Sequence, residues 1–150
     1  MLRLIWWIRR DLRLEDNTAL AAALTNAAEV IPVFVLDDKL LSSPRVQGPR
    51  IAWMLDGLHA LDTNLRHYGS SLVIRRGDPA SELLAVCQES QAEDVYFNRD
   101  YSPYAVRRDQ AVIQALSSAG SRVRTFKDAV IHEADELANG SLPPWTVTRT

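Results

Sequence analysis

The sequence predicts an α/β domain of the doubly wound, Rossmann-like class, a five-stranded parallel sheet of order 3-2-1-4-5 with helices on both faces. Three observations carry this. Strand-like and helix-like segments alternate five times. The strand segments are continuously apolar rather than alternating, as in a sheet covered on both sides. The connections are short, which favours right-handed crossovers. At 150 residues, 47% apolar and 24% charged, the chain suffices for one soluble domain with its own core.

The first strand is the apolar run Leu2–Ile8, with Trp6 and Trp7. Asp16, Asn17 and Thr18 supply a helix cap, and Leu20, Ala23, Leu24 and Ala27 follow at helical spacing. Val30–Leu36 is a second buried strand, with Pro32 near its start, and it ends in Asp37 and Asp38. Loop residues 42–49 lead to the longest helix, whose stripe is Ile51, Met54, Leu55, Leu58, Leu61 and Leu65, closed by Gly69. Leu72–Ile74 is a short strand, after which Asp78 caps a helix with Pro79 in its first turn and Leu83, Leu84 and Cys87 on its apolar side. Asp94–Phe97 is the fourth strand. Ser102 and Pro103 start a helix through Val106, Val112, Ile113 and Leu116 to Gly120, and Val123–Phe126 is the fifth strand. Periodicity fades from Asp128, so residues 1–127 are read as the domain and 128–150 as the start of a linker.

Composition narrows the function classes. No apolar run approaches the roughly 18 residues of a membrane helix. Arg9 and Arg10 are followed by Asp11, Leu12, Arg13, Leu14 and Glu15 rather than by the apolar segment of an export signal. One cysteine, Cys87, excludes an internal disulfide and a Cys-x-x-Cys zinc site, which fits a reducing cytoplasm. The net charge is −2 and no third of the chain is a basic patch, so the chain alone is a poor nucleic-acid binder. The six glycines form neither a G-x-G-x-x-G nor a Walker pattern, His59 and His67 lack the spacing of a metal pair, and there is no G-x-S-x-G elbow. No catalytic or metal-ligating set is predicted, and the domain reads as a binding scaffold.

In such sheets ligands lie beyond the carboxyl ends of the strands, where strand order reverses. The segments there are Arg9–Arg13, Leu36–Lys39, Arg75–Asp78 and Asn98–Tyr104. The alternating arginines and acids after the first strand also suit a loop locked by salt bridges, with Asp16 or Asn17 capping the next helix.

The segment Trp6-Trp7-Ile8-Arg9-Arg10-Asp11-Leu12-Arg13-Leu14-Glu15-Asp16-Asn17-Thr18-Ala19-Leu20 closely resembles the opening of the photolyase and cryptochrome family. The likeness continues through Pro32–Asp37, Pro49-Arg50, Arg76-Gly77-Asp78-Pro79, Val95–Tyr104, and Arg107-Arg108-Asp109, and so covers essentially the whole chain. It implies an N-terminal α/β domain that binds a light-harvesting antenna chromophore. A larger helical domain, which these 150 residues do not include, would bind FAD and damaged DNA. Pro144-Trp145-Thr146-Val147 resembles the stretch leading toward that domain, and Thr148-Arg149-Thr150 departs from the expected continuation.

The resemblance implies light-driven electron transfer from reduced FAD to a cyclobutane pyrimidine dimer in the full-length protein, and a fragment inactive in repair. By position it places the antenna pocket at Arg9, Phe34, Leu36, Asp37, Arg50, Asn98 and Asp100. Phe34 and Leu36 would wall a flat ring, Asn98 and Asp100 would bond its edge, and Arg9 or Arg50 would meet a phosphate tail. Core packing accounts equally well for Phe34 and Leu36. Deazaflavin-binding relatives tend to carry an acid where Ser102 stands, and Ser102 also suits a helix cap. Flavin mononucleotide (FMN), a deazaflavin and methenyltetrahydrofolate therefore all remain candidates. The same domain of a cryptochrome blue-light receptor, or a stand-alone nucleotide-binding module, are the competing readings. The expected partner is the helical FAD domain, with DNA reached only through it and no membrane. A face left bare by that domain, with Trp145 among its candidates, is expected to drive self-association.

Overall fold

The computed structural model describes residues 2–9, 11–38 and 48–127, apart from the side chains of residues 48–50. The elements alternate as predicted: β1 (Arg3–Ile8), α1 (Thr18–Asn26), β2 (Glu29–Asp37), α2 (Gly48–His67), β3 (Val73–Gly77), α3 (Pro79–Ser90), β4 (Asp94–Asn98), α4 (Pro103–Ser118) and β5 (Arg122–Phe126). All strand pairs are parallel and the order is β3-β2-β1-β4-β5.

The side chains of β1 divide between the two layers because successive residues of a strand point to opposite faces. Trp6 and Ile8, with Phe34, pack against Ala19 and Leu20 of α1 and Leu58, Leu61 and Leu65 of α2. Ile5 and Trp7, with Val33, Val35, Val95 and Phe97, pack against Leu83, Val86 and Cys87 of α3 and Val112 and Leu116 of α4. Both faces of β1 are therefore covered, which is why its sequence shows no polar alternation. Cys87 is a buried thiol in the α3–α4 layer, and burial raises its pKa.

The caps follow the expected chemistry. Asn17, Asp78 and Ser102 are the N-caps of α1, α3 and α4, and each side-chain oxygen accepts from a backbone N–H of the first turn. Of Asp16 and Asn17, it is Asn17 that caps.

Several local expectations change. Leu24 and Leu55, expected on the apolar stripes of α1 and α2, are 64% and 48% exposed. β3 extends to Gly77 instead of ending at Ile74, because its ladder with β2 continues from Val33↔Val73 to Asp37↔Gly77. Arg75 and Arg76 are thus strand residues, and Arg75 is held by Glu82 and Glu89 of α3. The inward stripe of α4 is Ala105, Asp109, Val112 and Leu116, whereas Val106 is 38% exposed. The predicted linker 128–150, Trp145 included, lies outside the described residues.

Candidate functional site

The chain leaves β1 toward α1 on one face of the sheet and leaves β4 toward α4 on the other. A crevice is therefore expected between these two adjacent strands, at their carboxyl ends. Polar clusters lie on both sides of this point, joined by the Arg9 bond to the Asn98 carbonyl.

On the α1 side the central residue is Asn98, the last of β4 and buried. Its Nδ2 donates to Asp11 Oδ2 and to Asn17 Oδ1, both at 2.8 Å, and its Oδ1 accepts from the backbone N–H of Ala19 at 3.0 Å. Asn17 Nδ2 also donates to Asp11 Oδ2 at 3.0 Å, and Asp11 Oδ1 accepts from the Arg9 N–H at 3.1 Å. Both amide hydrogens of Asn98 are thus committed to the loop after β1. That loop is locked by this Asp11–Asn17–Asn98 network; the arginine Arg9 pairs elsewhere.

On the α4 side, Arg9 lies flat on the core. Its guanidinium carbon is 4.6 Å from the Trp7 ring centroid and 4.7 Å from that of Phe97. Its Nη1 donates to Asp109 Oδ1 at 2.5 Å, with both side chains about nine-tenths buried, and its Nη2 donates to the Asn98 carbonyl. Burial lowers the Arg9 pKa from its usual value, and the charge and hydrogen bond of Asp109 oppose that shift. Arg108 sits 5.3 Å from the Trp7 centroid and 5.8 Å from that of Tyr104, and its Nε reaches the same Asp109 oxygen at 3.2 Å. Tyr104 in turn donates its hydroxyl hydrogen to Asp37 at the end of β2. Burial, then the bond to Asp37 and its charge, push the Tyr104 pKa up to about 12, so the phenol stays protonated. Within this side, Arg108 Nη2 and Arg9 Nε are buried N–H groups with no acceptor among the described residues.

The seven residues proposed from position do not form one constellation. Arg9 and Asp37 belong to the α4 side, and Asn98 to the α1 side. Phe34 is 6% exposed within the α1–α2 core, and Leu36 packs against that same cluster, so the sheet separates them from Trp7 and Tyr104. Asp100 accepts from the Ser102 N–H at 3.3 Å in the turn before α4. Arg50 falls in the first turn of α2, and its side chain lies outside the described residues. Tyr104, Arg108 and Asp109, which complete this cluster, were not among the seven, although Tyr104 closes the segment Asn98–Tyr104 singled out beyond the strand ends. The available signal was Asp109 itself, a carboxylate at helical spacing between Ala105 and Val112 on the buried face of α4.

Other features lie elsewhere. At the opposite, amino end of the strands a recess of about 460 Å³ is lined by Leu84, Cys87 and Gln88 of α3 together with Glu93 and Arg122. Among the described residues there is no group of three potential metal ligands, and no helix long and apolar enough to cross a membrane. The large exposed apolar side chains, Trp53 and Tyr68 most of all, are spread along the chain.

Comparison with known proteins bears on this geometry. The family model described as DNA photolyase matches residues 4–149. A deoxyribodipyrimidine photo-lyase of Synechococcus sp. is 38% identical over 96% of this chain and 30% of its own length. Cryptochrome-2 of Gallus gallus is 34% identical over 98% of this chain and 26% of its own. Among solved structures, an archaeal photolyase from Sulfolobus tokodaii, described with two FAD molecules and the implication of a novel light-harvesting cofactor, superposes with a TM-score of 0.77. It is 31% identical, over 88% of this chain and 32% of that one. The chain thus spans between about a quarter and a third of the length of these relatives.

Proposed function

This chain belongs to the DNA photolyase family, and from that premise we propose that it is the light-harvesting-chromophore-binding domain of a deoxyribodipyrimidine photolyase. The observation that carries the reading is the polar cluster at the reversal point of the sheet, where Arg9 and Arg108 lie over the buried Trp7 ring and share Asp109. Sheets of this class hold ligands at that point, beyond the carboxyl ends of the strands. The cofactor content described for the Sulfolobus tokodaii photolyase, a relative 31% identical to this chain, supports it.

The residues take different parts in this reading. Asn98 and Arg9 are positioning residues: Asn98 ties the loop after β1 to β4, and Arg9 ties the end of β1 to Asp109 of α4 and to the Asn98 carbonyl. Asp37 and Asp100 stand at the rim of the site, with Arg50 at the start of α2 for a phosphate tail. Phe34 and Leu36 support it from the other face of the sheet. The candidate ligands are FMN, a deazaflavin and methenyltetrahydrofolate, and the ligand would supply absorption of light and transfer of excitation energy. Electron transfer from FAD to a pyrimidine dimer belongs to the part of the relatives beyond this chain, so the partner is a helical FAD domain and DNA is reached through it.

Titration of the purified chain with each of the three ligands, followed by absorbance and fluorescence, tests the reading. Saturable binding of one ligand is expected, and binding of none overturns it. The cryptochrome match supports a second reading, a blue-light receptor with the same domain. Light-dependent repair of dimer-containing DNA by the full-length protein is expected for a photolyase, and its absence would favour the receptor.

A further inference from the structure

We propose that the recess at the amino ends of β4 and β5 binds an aliphatic polyamine: Glu93 at its mouth holds an ammonium group, and the methylene chain lies along Leu84, Cys87 and Ala92. The recess is at the other end of the sheet from the Arg9–Asp109 cluster, and the inference does not depend on the antenna reading.

The recess forms where two helix-to-strand turns lie side by side, α3 returning to β4 and α4 returning to β5. The turns are tied together by the Arg122 N–H, which donates to the Glu93 carbonyl at 3.0 Å. Between them about 460 Å³ is left, within the range of small-molecule sites. Gly120 lines it at φ +92°, and a Cβ built there would meet no atom within 4 Å, so this side stays open. Cys87 and Ala92 are buried and Leu84 is half-buried, which gives an apolar wall, whereas Gln88 and Glu93 are exposed at the rim.

The charges decide what the recess accepts. Among the described residues that line it, Glu93 is the one carboxylate and Arg122 the one cation. Arg122 is already engaged: its Nε donates to Asp94 Oδ1 at 2.6 Å, and the Asp94 side chain is 8% exposed. This bond is the first cause of its raised pKa. Its contact with Glu93 is longer, 3.4 Å, with both side chains 64% exposed, and such a pair contributes little. Two carboxylates thus share one guanidinium, and Glu93 is the one left able to take another cation. The carboxyl end of α4, with no basic residue in its last turn, adds partial negative charge on the far side. The neighbouring end of α3 already receives a cation, since Arg3 Nη1 donates to the Ser90 carbonyl at 2.9 Å. An anion would be repelled here. Two negative poles with an apolar wall between them match ammonium groups separated by methylenes.

The test is titration of the chain with spermidine, followed through backbone amide chemical shifts by NMR, on wild type, Glu93→Gln and Arg122→Gln. Octanediol, a neutral chain of similar length, and a lysine-containing peptide are run beside it, and circular dichroism checks folding. Saturable shifts centred on Ala92, Glu93, Gly120 and Ser121 are expected with spermidine and not with octanediol. Glu93→Gln is expected to weaken binding by about three- to fivefold, as for an exposed ion pair. Arg122→Gln is expected to tighten it by a similar factor, because Glu93 loses its competing partner. Absence of shifts at those amides, or equal shifts with octanediol, overturns the proposal. Unchanged affinity in Glu93→Gln overturns it too, as does weaker binding by Arg122→Gln. Glu93→Gln decides alone if Arg122→Gln, which strips the buried Asp94 of its partner, does not fold. Tighter binding of the lysine peptide than of spermidine overturns a free amine as the occupant.

Discussion

Asn98 at the end of β4 donates a 2.8 Å hydrogen bond to Asn17, the N-cap of α1, across 81 positions of sequence. The same Asn17 oxygen accepts from the Leu20 N–H at 3.1 Å. The start of one helix is therefore fixed by the end of a strand that comes much later in the chain.

Asn98→Ala removes three buried hydrogen bonds and leaves Asp11, Asn17 and the Ala19 N–H short of partners. A loss of about 2–4 kcal/mol is expected from the desolvation of these groups. Urea denaturation measures it. A midpoint unchanged from wild type would show that the network does not hold the loop.

Asp109→Ala leaves two buried guanidinium groups without their shared carboxylate. Breaking a buried ion pair from one side costs about 3–5 kcal/mol. Asp109→Asn keeps the shape and an acceptor but loses the charge, so it should fall between Asp109→Ala and wild type. The order of the three thermal midpoints checks this, and Asp109→Asn lying below Asp109→Ala would contradict it.

Gly57 of α2 meets the loop after β1 closely: a Cβ built there would be 3.0 Å from Leu12 Cδ1. The methyl is the end of a flexible side chain and can move by a few tenths of an ångström. Gly57→Ala also gains up to about 1 kcal/mol of helix propensity. It is therefore expected to be nearly neutral, whereas Gly57→Leu should cost about 1–3 kcal/mol by overpacking. Equal denaturation midpoints for the two variants would refute the contact.

Tyr104 gives the protein a sensitivity to alkali. Its pKa is about 12 in the folded state against an ordinary 10, so between these values the native chain keeps a proton that the unfolded chain has lost. Stability from this group is present below pH 10 and declines as pH rises toward 12. Tyr104→Phe should flatten that part of the stability curve, and an identical alkaline slope in wild type and variant would show that the phenol is not coupled to folding.

Much of the fold was legible from local patterns. Trp6, Trp7 and Ile8 in one run demand a strand covered on both faces, and Asn17, Asp78 and Ser102 are caps whose chemistry acts within four residues. The end of β3 was misread because Arg75 and Arg76 look like loop residues, and only the ladder with β2 keeps them in the strand. The site was less legible. Position placed Arg9, Asp37 and Asn98 correctly at strand ends, but not the partners that define what each does. Arg9 finds Asp109 a hundred residues away, and Asp37 finds Tyr104 sixty-seven away.

By itself, then, the sequence determined the class of sheet, its strand order, the helix caps and the family, because these rest on periodicity, capping and a contiguous motif from Trp6 to Leu20. Only the tertiary structure decided which polar groups at the strand ends are bound to one another and which buried N–H groups, Arg9 Nε and Arg108 Nη2, lack an acceptor among the described residues. The parity of each strand sends Phe34 to one face and Trp7 to the other. A buried polar group is committed or available according to neighbours that only folding brings within about 3 Å, and no local pattern carries that information.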